Sequence, residues 1–188
     1  MNSTLTAAPA VRPLTASEFQ RWARIDADLS DVGLTIALDA AIDEVERWIG
    51  ARCITQTWTD TWHDFLTTRL AWNPVQSITS VAYIDNAGDS QTLSTDVYEL
   101  RTDIYGAYVG LKYGQQWPTD LRCQPNGVTV VYVAGFGDTG ADVPGAIRNA
   151  IASLAAHKYE YREGDILPPE AVWNALQPMR FYPHAEHA

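Results

Sequence analysis

The stretch VTVVYVAGFGDTGADVPGAIRNAIASLAAHKYEYR, residues 128–162, decides the fold class. Its opening residues are mostly β-branched and predict a strand. Pro144 then opens a helix in which Ile147, Ile151 and Leu154 form one apolar stripe. The stretch therefore contains a strand, a glycine-rich turn and a helix, in that order.

The turn, GFGDTG from Gly135 to Gly140, matches the formal GxGxxG pattern. In a dinucleotide-binding fold such glycines let the backbone approach a pyrophosphate at a helix N-terminus. That fold also requires a second parallel strand after the helix, whereas YEYREGDILPP (159–169) and a further helical stretch follow here. The pattern favours a plain connection between a strand and a helix. An enzyme or nucleotide-binding protein that uses this loop is the alternative.

Upstream, residues 54–135 have the texture of an antiparallel β module. Turn residues such as Asn73-Pro74 separate short stretches that are rich in β-branched and aromatic residues. The predicted strands are 54–62, 68–72, 77–84, 97–100, 107–113 and 128–134.

The first of these strands has two contrasting faces. Trp58 and Trp62 share one face, and the threonines share the other: Thr55, Thr57, Thr59 and Thr61. The contrast predicts that the tryptophan face packs inward or into a subunit contact. A carbohydrate-binding module that stacks sugars on the tryptophans is the alternative.

Helical stretches flank the β module on both sides. Thr15 and Glu18 have capping-box spacing at the start of the first helix, and Gly50 supplies a stop for the second. The predicted helices span about 15–26, 32–50, 144–162 and 168–177. The predicted fold class is therefore α+β, a small bundle of about four helices with an antiparallel β module inserted between the second and third.

The ends of the chain are predicted to differ from its body. Pro9 and Pro13 interrupt a run of small and polar residues, which predicts a flexible N-terminal arm over residues 1–13. Residues 14–182 are expected to form a single domain, and residues 183–188 a tail.

The charge balance excludes some classes of function. The 188 residues include 13 Lys and Arg against 23 Asp and Glu, which gives a net charge of −10. A protein that binds nucleic acid through the phosphates needs clustered basic residues. The acidic balance therefore argues against a nucleic-acid-binding protein of this kind. The cysteines Cys53 and Cys123 form no CxxC pair, which fits a reducing compartment. Neither a secretory signal nor a membrane-spanning run is expected, so the protein is predicted to be made in a cytoplasm and to stay there or in a particle assembled there.

Three carboxylates lie on one side of the predicted second helix: Asp39, Asp43 and Glu46 fall within about 60° of each other at 100° per residue. Such a group suits a divalent metal or an acid/base pair, or it is simply a solvated helix face. No second ligand cluster is visible, so the solvated face is preferred and no metal, cofactor or catalytic residue is assigned. Of the histidines, only His184 and His187 form an HxxH pair, and it lies in the tail.

Several segments, taken in order, resemble a known family. They are LTASEF (14–19), AAIDEVERWIGARCITQTW (40–58), NPVQSITSVAYIDNAG (73–88), YGQQWPTDL (113–121), VTVVYVAGFG (128–137), VPGAIRNAIASLAAHKYEYRE (143–163) and LQPMRFY (176–182). Their order and spacing resemble the head-tail connector, or adaptor, family of tailed bacteriophages, which also occurs in phage-like gene transfer particles. The resemblance covers about residues 14–182.

The resemblance implies a structural subunit of the virion and not an enzyme. Family members form a homo-oligomeric ring of roughly a dozen copies that binds the portal protein and receives a tail-side stopper or tail terminator protein. The C-terminal segment is implied as the portal contact, through Met179, Arg180, Phe181 and Tyr182.

A channel for double-stranded DNA is the second implied feature. A ring of roughly a dozen such chains carries on the order of −120 charges, so an acidic channel repels DNA and lets it pass without specific binding. Asp39, Asp43 and Glu46 are the predicted channel-lining residues.

Overall fold

The computed structural model describes residues 1–26, 32–65, 69–161 and 170–181. The chain divides into two compact units. We call the first the β unit, formed by Met1–Pro9, Thr55–Gly135 and Phe181–Ala188, and the second the helical unit, formed by Ala10–Ile54 and Phe136–Arg180. The strands of the β unit stand between the second and third helices in the chain, which confirms the predicted α+β class.

The helical unit contains the four predicted helices. Their bounds are α1 Ala16–Ala23, α2 Val32–Ile49, α3 Gly145–Glu160 and α4 Glu170–Leu176. Each lies within two or three residues of the predicted span where the structure describes the chain, and residues 168 and 169 lie outside the described part. A short 3-10 helix, Gln177–Met179, follows α4 directly.

The caps form as the sequence predicts. The Thr15 hydroxyl accepts the Glu18 backbone N–H, and the Glu18 carboxylate accepts the Thr15 backbone N–H at 2.9 Å. The Thr15 hydroxyl also donates to the Glu18 carboxylate at 2.7 Å. This bond, and secondly the bond from the Thr15 backbone N–H, hold the pKa of Glu18 below its usual value. Gly50 takes a positive φ of 67° at the end of α2, which is the left-handed conformation that ends a helix.

The apolar stripes of the helices meet in one core. α3 packs against α1, α2 and α4. The fully buried side chains include Phe19, Leu34, Leu38, Val45, Ile49, Ile147, Ile151, Leu154 and Leu176. Ion pairs at the surface tie the helices further, with Lys158 Nζ 2.7 Å from Glu44 Oε2 and Arg148 Nη2 3.8 Å from Glu18 Oε1.

The β unit is built from antiparallel strands. Their bounds are β1 Asn2–Ala7, β2 Gln56–Trp62, β3 Val75–Ile84, β4 Ser90–Thr92, β5 Tyr98–Asp103, β6 Gly106–Leu111 and β7 Val128–Ala134. Five of them form a sheet in the order β1-β2-β7-β3-β4, and β5 pairs with β6 in a two-stranded sheet. The predicted strand at 68–72 does not form within the described residues; Arg69 makes an isolated bridge to Tyr108 instead.

One face of the five-stranded sheet forms the core of the β unit. Trp58, Trp62, Val130 and Tyr132 point to this inner face and are buried against residues of β5 and β6 such as Val109. Buried polar groups fix the segment after β2, since Asp60 Oδ2 accepts the Ala71 N–H at 2.8 Å and Tyr132 Oη accepts the Trp72 N–H at 3.2 Å. Burial, and secondly the nearby Asp60 carboxylate, raise the pKa of Tyr132.

The N-terminus departs from the prediction. Residues 1–13 were expected to be a flexible arm, but Asn2–Ala7 form β1, an edge strand paired with β2. Thr4 and Thr6 also hydrogen bond to Thr59. The sequence pattern did not predict β1 because the side chains of this strand are mostly exposed. Backbone hydrogen bonds, and not burial of apolar side chains, hold β1 against β2.

Among the described residues, no helix is long and apolar enough to cross a membrane.

Candidate functional site: the second helix and the C-terminal segment

The three predicted carboxylates of α2 do not form one solvated face. Asp39 and Asp43 are exposed, but Glu46 is buried, with 5% of its surface accessible. The channel-lining prediction needs all three carboxylates at the surface, and within the single chain only Asp39 and Asp43 are exposed. The angular argument placed the three residues near one another, but the chain that follows α2 folds back over Glu46.

Glu46 holds the turn after α2. Its Oε2 accepts Arg52 Nη1 and its Oε1 accepts the Cys53 backbone N–H, both at 2.7 Å. Both charged side chains of this pair are largely removed from water, with accessible fractions of 15% for Arg52 and 7% for Glu46. Desolvation, and secondly the charge of Glu46, raise the pKa of the Cys53 thiol, so this buried cysteine stays protonated.

Asp39 forms a bidentate ion pair with Arg12. The distances are 2.6 Å from Nε to Oδ1 and 2.9 Å from Nη2 to Oδ2, and about half of each side chain is exposed. The hydrogen bond to Asp39 raises the pKa of Arg12. Asp43 makes no ion pair with any residue that the structure describes.

Of the three predicted carboxylates, Asp39 and Asp43 therefore remain on the surface of α2. They can repel a polyanion, with the repulsion from Asp39 partly offset by Arg12. Across residues 1–26, 32–65, 69–161 and 170–181, no group of three His, Cys, Asp or Glu side chains lies close enough to hold a metal ion.

The C-terminal segment is anchored on the end of α2. Trp173 of α4 lies against Trp48, with ring centroids 5.4 Å apart, and Arg180 stacks over Trp48 with its Cζ 4.9 Å from the centroid. Val172 and Leu176 are buried beneath. Of the four predicted portal contacts, Met179 and Phe181 are half-buried and Arg180 is exposed, while Tyr182 lies outside the described residues, as do His184 and His187.

The glycine-rich loop is filled by the chain itself. The Asp142 carboxylate Oδ2 accepts both the Thr139 N–H at 2.9 Å and the Thr139 hydroxyl at 2.8 Å. A Cβ on Gly137 would lie 2.6 Å from that same oxygen, and one on Gly140 would lie 2.5 Å from the Pro13 carbonyl oxygen. Because the Asp142 carboxylate already accepts the Thr139 N–H of this loop, the geometry opposes the nucleotide-binding alternative.

The tryptophan platform of the carbohydrate-binding alternative is absent from the described surface, because Trp58 and Trp62 are 7% and 3% exposed and lie in the core of the β unit. The prediction that this face packs inward is confirmed.

Sequence reasoning missed Arg12, Arg52 and Trp48. Arg12 lies 27 residues before its partner Asp39 and inside a stretch predicted to be flexible, so no helical spacing linked the two. Arg52 follows Glu46 by six residues, across the predicted helix stop. An arginine three residues after the end of a helix with a carboxylate in its last turn is the signal that would have indicated this pair.

Comparisons with known proteins place this geometry in context. No family model and no curated protein matches the chain. Among solved structures, a chain from the neck of an empty gene transfer agent (GTA) particle, computed with C6 symmetry, has a TM-score of 0.79 at 22% identity. A chain from the neck of the native GTA particle, computed with C12 symmetry, has 0.76 at 23% identity, and one from the native GTA virion has 0.75 at 23%.

Each match covers 96% of this chain and 96% of the solved chain. The likeness therefore includes both units. It confirms, at the level of the fold, the resemblance to phage-like connectors noted from the sequence. The chain is similar in fold, over nearly its whole length, to a protein in the neck of a gene transfer agent particle.

Proposed function

We propose that this chain is a structural subunit of the neck of a tailed phage or phage-like particle, and that it works by assembly and not by catalysis. The observation that carries the proposal is the match of the complete fold to chains from GTA necks, with TM-scores of 0.75 to 0.79. A fold shared from end to end supports a shared place in the particle better than a match of one module would.

The subunit acts in a ring of roughly a dozen copies that completes the DNA-filled head. Support comes from the solved necks, which were computed with C6 and C12 symmetry. The proposed partners are further copies of the chain, the portal protein on the head side and a stopper or tail terminator protein on the tail side. The ring is assembled in the bacterial cytoplasm and remains in the particle.

Portal docking is assigned to Met179, Arg180, Phe181 and Tyr182. These residues follow α4 at a point that the Trp48, Trp173 and Arg180 stack fixes on the helical unit. A short segment that leaves a fixed point and carries apolar, aromatic and cationic side chains is suited to a groove on a partner.

Deletion of residues 179–188 tests this assignment. We expect the truncated chain to keep its far-UV circular dichroism and to lose binding to isolated portal rings, measured by co-sedimentation. The matched control deletes only residues 183–188 and keeps the four assigned contacts, so it should still bind. Binding by the longer deletion would remove the C-terminal segment from the portal contact.

The exposed carboxylates Asp39 and Asp43 are proposed to face the DNA channel, where they repel the duplex and let it pass without specific binding. The double variant Asp39→Lys/Asp43→Lys should slow genome ejection from purified particles. Asp89→Lys/Asp96→Lys makes the same charge change on exposed positions of the β unit and serves as the control. Equal ejection by both variants would contradict the placement of α2 at the channel.

A further inference from the structure

The outer face of the five-stranded sheet has an unusual composition. Residues that alternate with the core positions of β2, β7 and β3 point to this face, and their cross-strand partners place them in three rows. We call them the neutral face: Thr57, Thr59, Thr61, Thr129, Val131, Val133, Ser77, Ser80 and Ala82.

Charge is missing from this sheet. Its five strands contain one carboxylate, Asp60, and no Lys or Arg. Asp60 points to the inner face and is 0% exposed. In a chain with 23 acidic residues and a net charge of −10, an uncharged sheet face is a local exception.

The central strand has the pattern of a strand covered on both sides. β7 reads VTVVYVA, with Val128, Val130 and Tyr132 buried on the inner face. Val131 and Val133 point outward, and within this chain they are only half-buried. Antiparallel sheets with one solvated face usually alternate apolar with polar residues, and continuous apolar runs are typical of strands that are buried on both faces.

We propose that the neutral face is a contact between neighbouring copies of this chain. The inference rests on the proposed neck function, which requires copies to touch one another. Two chains that each carry −10 repel, and a contact surface without carboxylates adds least to that repulsion. The outer sheet face meets that condition, whereas the exposed side of α2 carries Asp39 and Asp43.

The geometry also limits how strong one contact can be. Three strands spaced at about 4.8 Å, each with about seven residues rising about 3.3 Å, present a face of about 330 Å². A stable complex buries about 800 Å² on each partner, so this face supplies part of an interface and does not make a tight pair alone. In a ring of many copies the contact is heterologous, so the neutral face of one subunit meets a different surface of the next.

Site-specific photo-crosslinking in assembled particles tests the proposal. Val131 is replaced by the photo-reactive residue p-benzoylphenylalanine, particles are purified and irradiated, and crosslinked peptides are identified by mass spectrometry. We expect a product with the mass of two chains, in which position 131 is joined to a peptide of the same protein. Thr129 provides a second position in case the larger side chain at 131 blocks assembly.

The matched control places the same photo-reactive residue at Ile104. This side chain is 82% exposed in the turn between β5 and β6, so it is accessible but lies off the neutral face. Crosslinks from 131 and 129 to the portal or to a tail-side protein would overturn the proposal. The absence of any crosslink from them, or an equal self-crosslink from 104, would also overturn it.

A separate readout distinguishes this failure from failure of the proposed function. Mass spectrometry of unmodified purified particles reports whether the chain is in the particle at all. If the chain is absent from the particles, the proposed neck function is wrong, and the proposed contact between copies is wrong as well. If it is present and positions 131 and 129 do not crosslink to a second copy, the neck function stands and only the neutral face is refuted.

Discussion

The two units of this protein differ in where their charged side chains lie and in how those side chains are paired. The helical unit sets carboxylates on its helices and pairs many of them within the chain, as in Arg12–Asp39, Arg52–Glu46 and Lys158–Glu44. The sheet of the β unit instead excludes charge from both faces, apart from the buried Asp60. The net charge of −10 is therefore unevenly distributed, and a single average charge is a poor guide to where the molecule attracts or repels a partner.

This contrast is consistent with the two proposed roles. A surface that carries carboxylates repels DNA, and a surface without them permits contact between like-charged copies. The stability of each unit should then depend on different interactions, with apolar packing dominant in the sheet and charge pairing in the turn after α2. Point substitutions in the two units test that contrast.

The largest effect is expected on the inner face of the sheet. Trp62 is 3% exposed and pairs across strands with Val128, so Trp62→Ala leaves a large cavity and should cost about 3–5 kcal/mol. Urea unfolding followed by far-UV circular dichroism measures the loss. Thr57→Ala, on the outer face of the same strand, is the control and should cost less than about 1 kcal/mol. Equal losses would show that the two faces are not energetically different.

In the helical unit, the buried pair should matter more than the surface pair. Glu46→Ala leaves Arg52 and the Cys53 N–H without their acceptor in a buried site, at a cost of about 3 kcal/mol. Asp39→Ala removes an ion pair whose side chains are about half exposed, at a cost of at most about 1 kcal/mol. Urea unfolding of the two variants side by side measures the ratio. A larger loss for Asp39→Ala would reverse the assignment of Glu46 as the structural carboxylate.

Much of the fold could be predicted because local signals and tertiary packing agree. The Thr15 and Glu18 capping box, the stripe of Ile147, Ile151 and Leu154, and the stop at Gly50 all form as the sequence indicates. The strand β1 could not be predicted, because an edge strand held by backbone hydrogen bonds leaves no apolar pattern.

The candidate site was less predictable than the fold. Helical periodicity places Asp39, Asp43 and Glu46 on one side of α2, but it carries no information on which of them the following chain covers. Glu46 is covered by residues 52 and 53, and Asp39 is paired with a residue far upstream. Burial and pairing of this kind depend on tertiary contacts that one helix does not encode.

The loop between β7 and α3 provides a smaller test of packing. Gly137→Ala would place a Cβ against the Asp142 carboxylate and disturb its bonds to Thr139, so we expect a loss of about 1–3 kcal/mol. Gly145→Ala is the matched control, because a Cβ there meets nothing within 4 Å and Gly145 is the first residue of α3. It should raise stability by up to about 1 kcal/mol. A Gly137→Ala protein as stable as the wild type would show that the Asp142 side chain can move away from position 137 without loss of stability.

The smallest effect is expected at an ion pair of the β unit and appears only in acid. Asp103 accepts two hydrogen bonds from Arg69. Hydrogen bonding to Arg69 is the largest of the effects that lower the pKa of Asp103 to about 2. An unfolded aspartate has a pKa of about 3.9, so the folded state binds this proton less well. The stabilisation by ionised Asp103 is fully present above about pH 4 and is lost as the pH falls toward 2.

The difference in melting temperature between wild type and Asp103→Asn should therefore narrow as the pH falls from about 5 to about 2. It is measured at intervals of about one pH unit. Because the pair is partly exposed, the difference should also shrink in high salt. A gap that stays constant over this range, or that widens in acid, would show that the ionised Asp103 does not stabilise the β5–β6 turn.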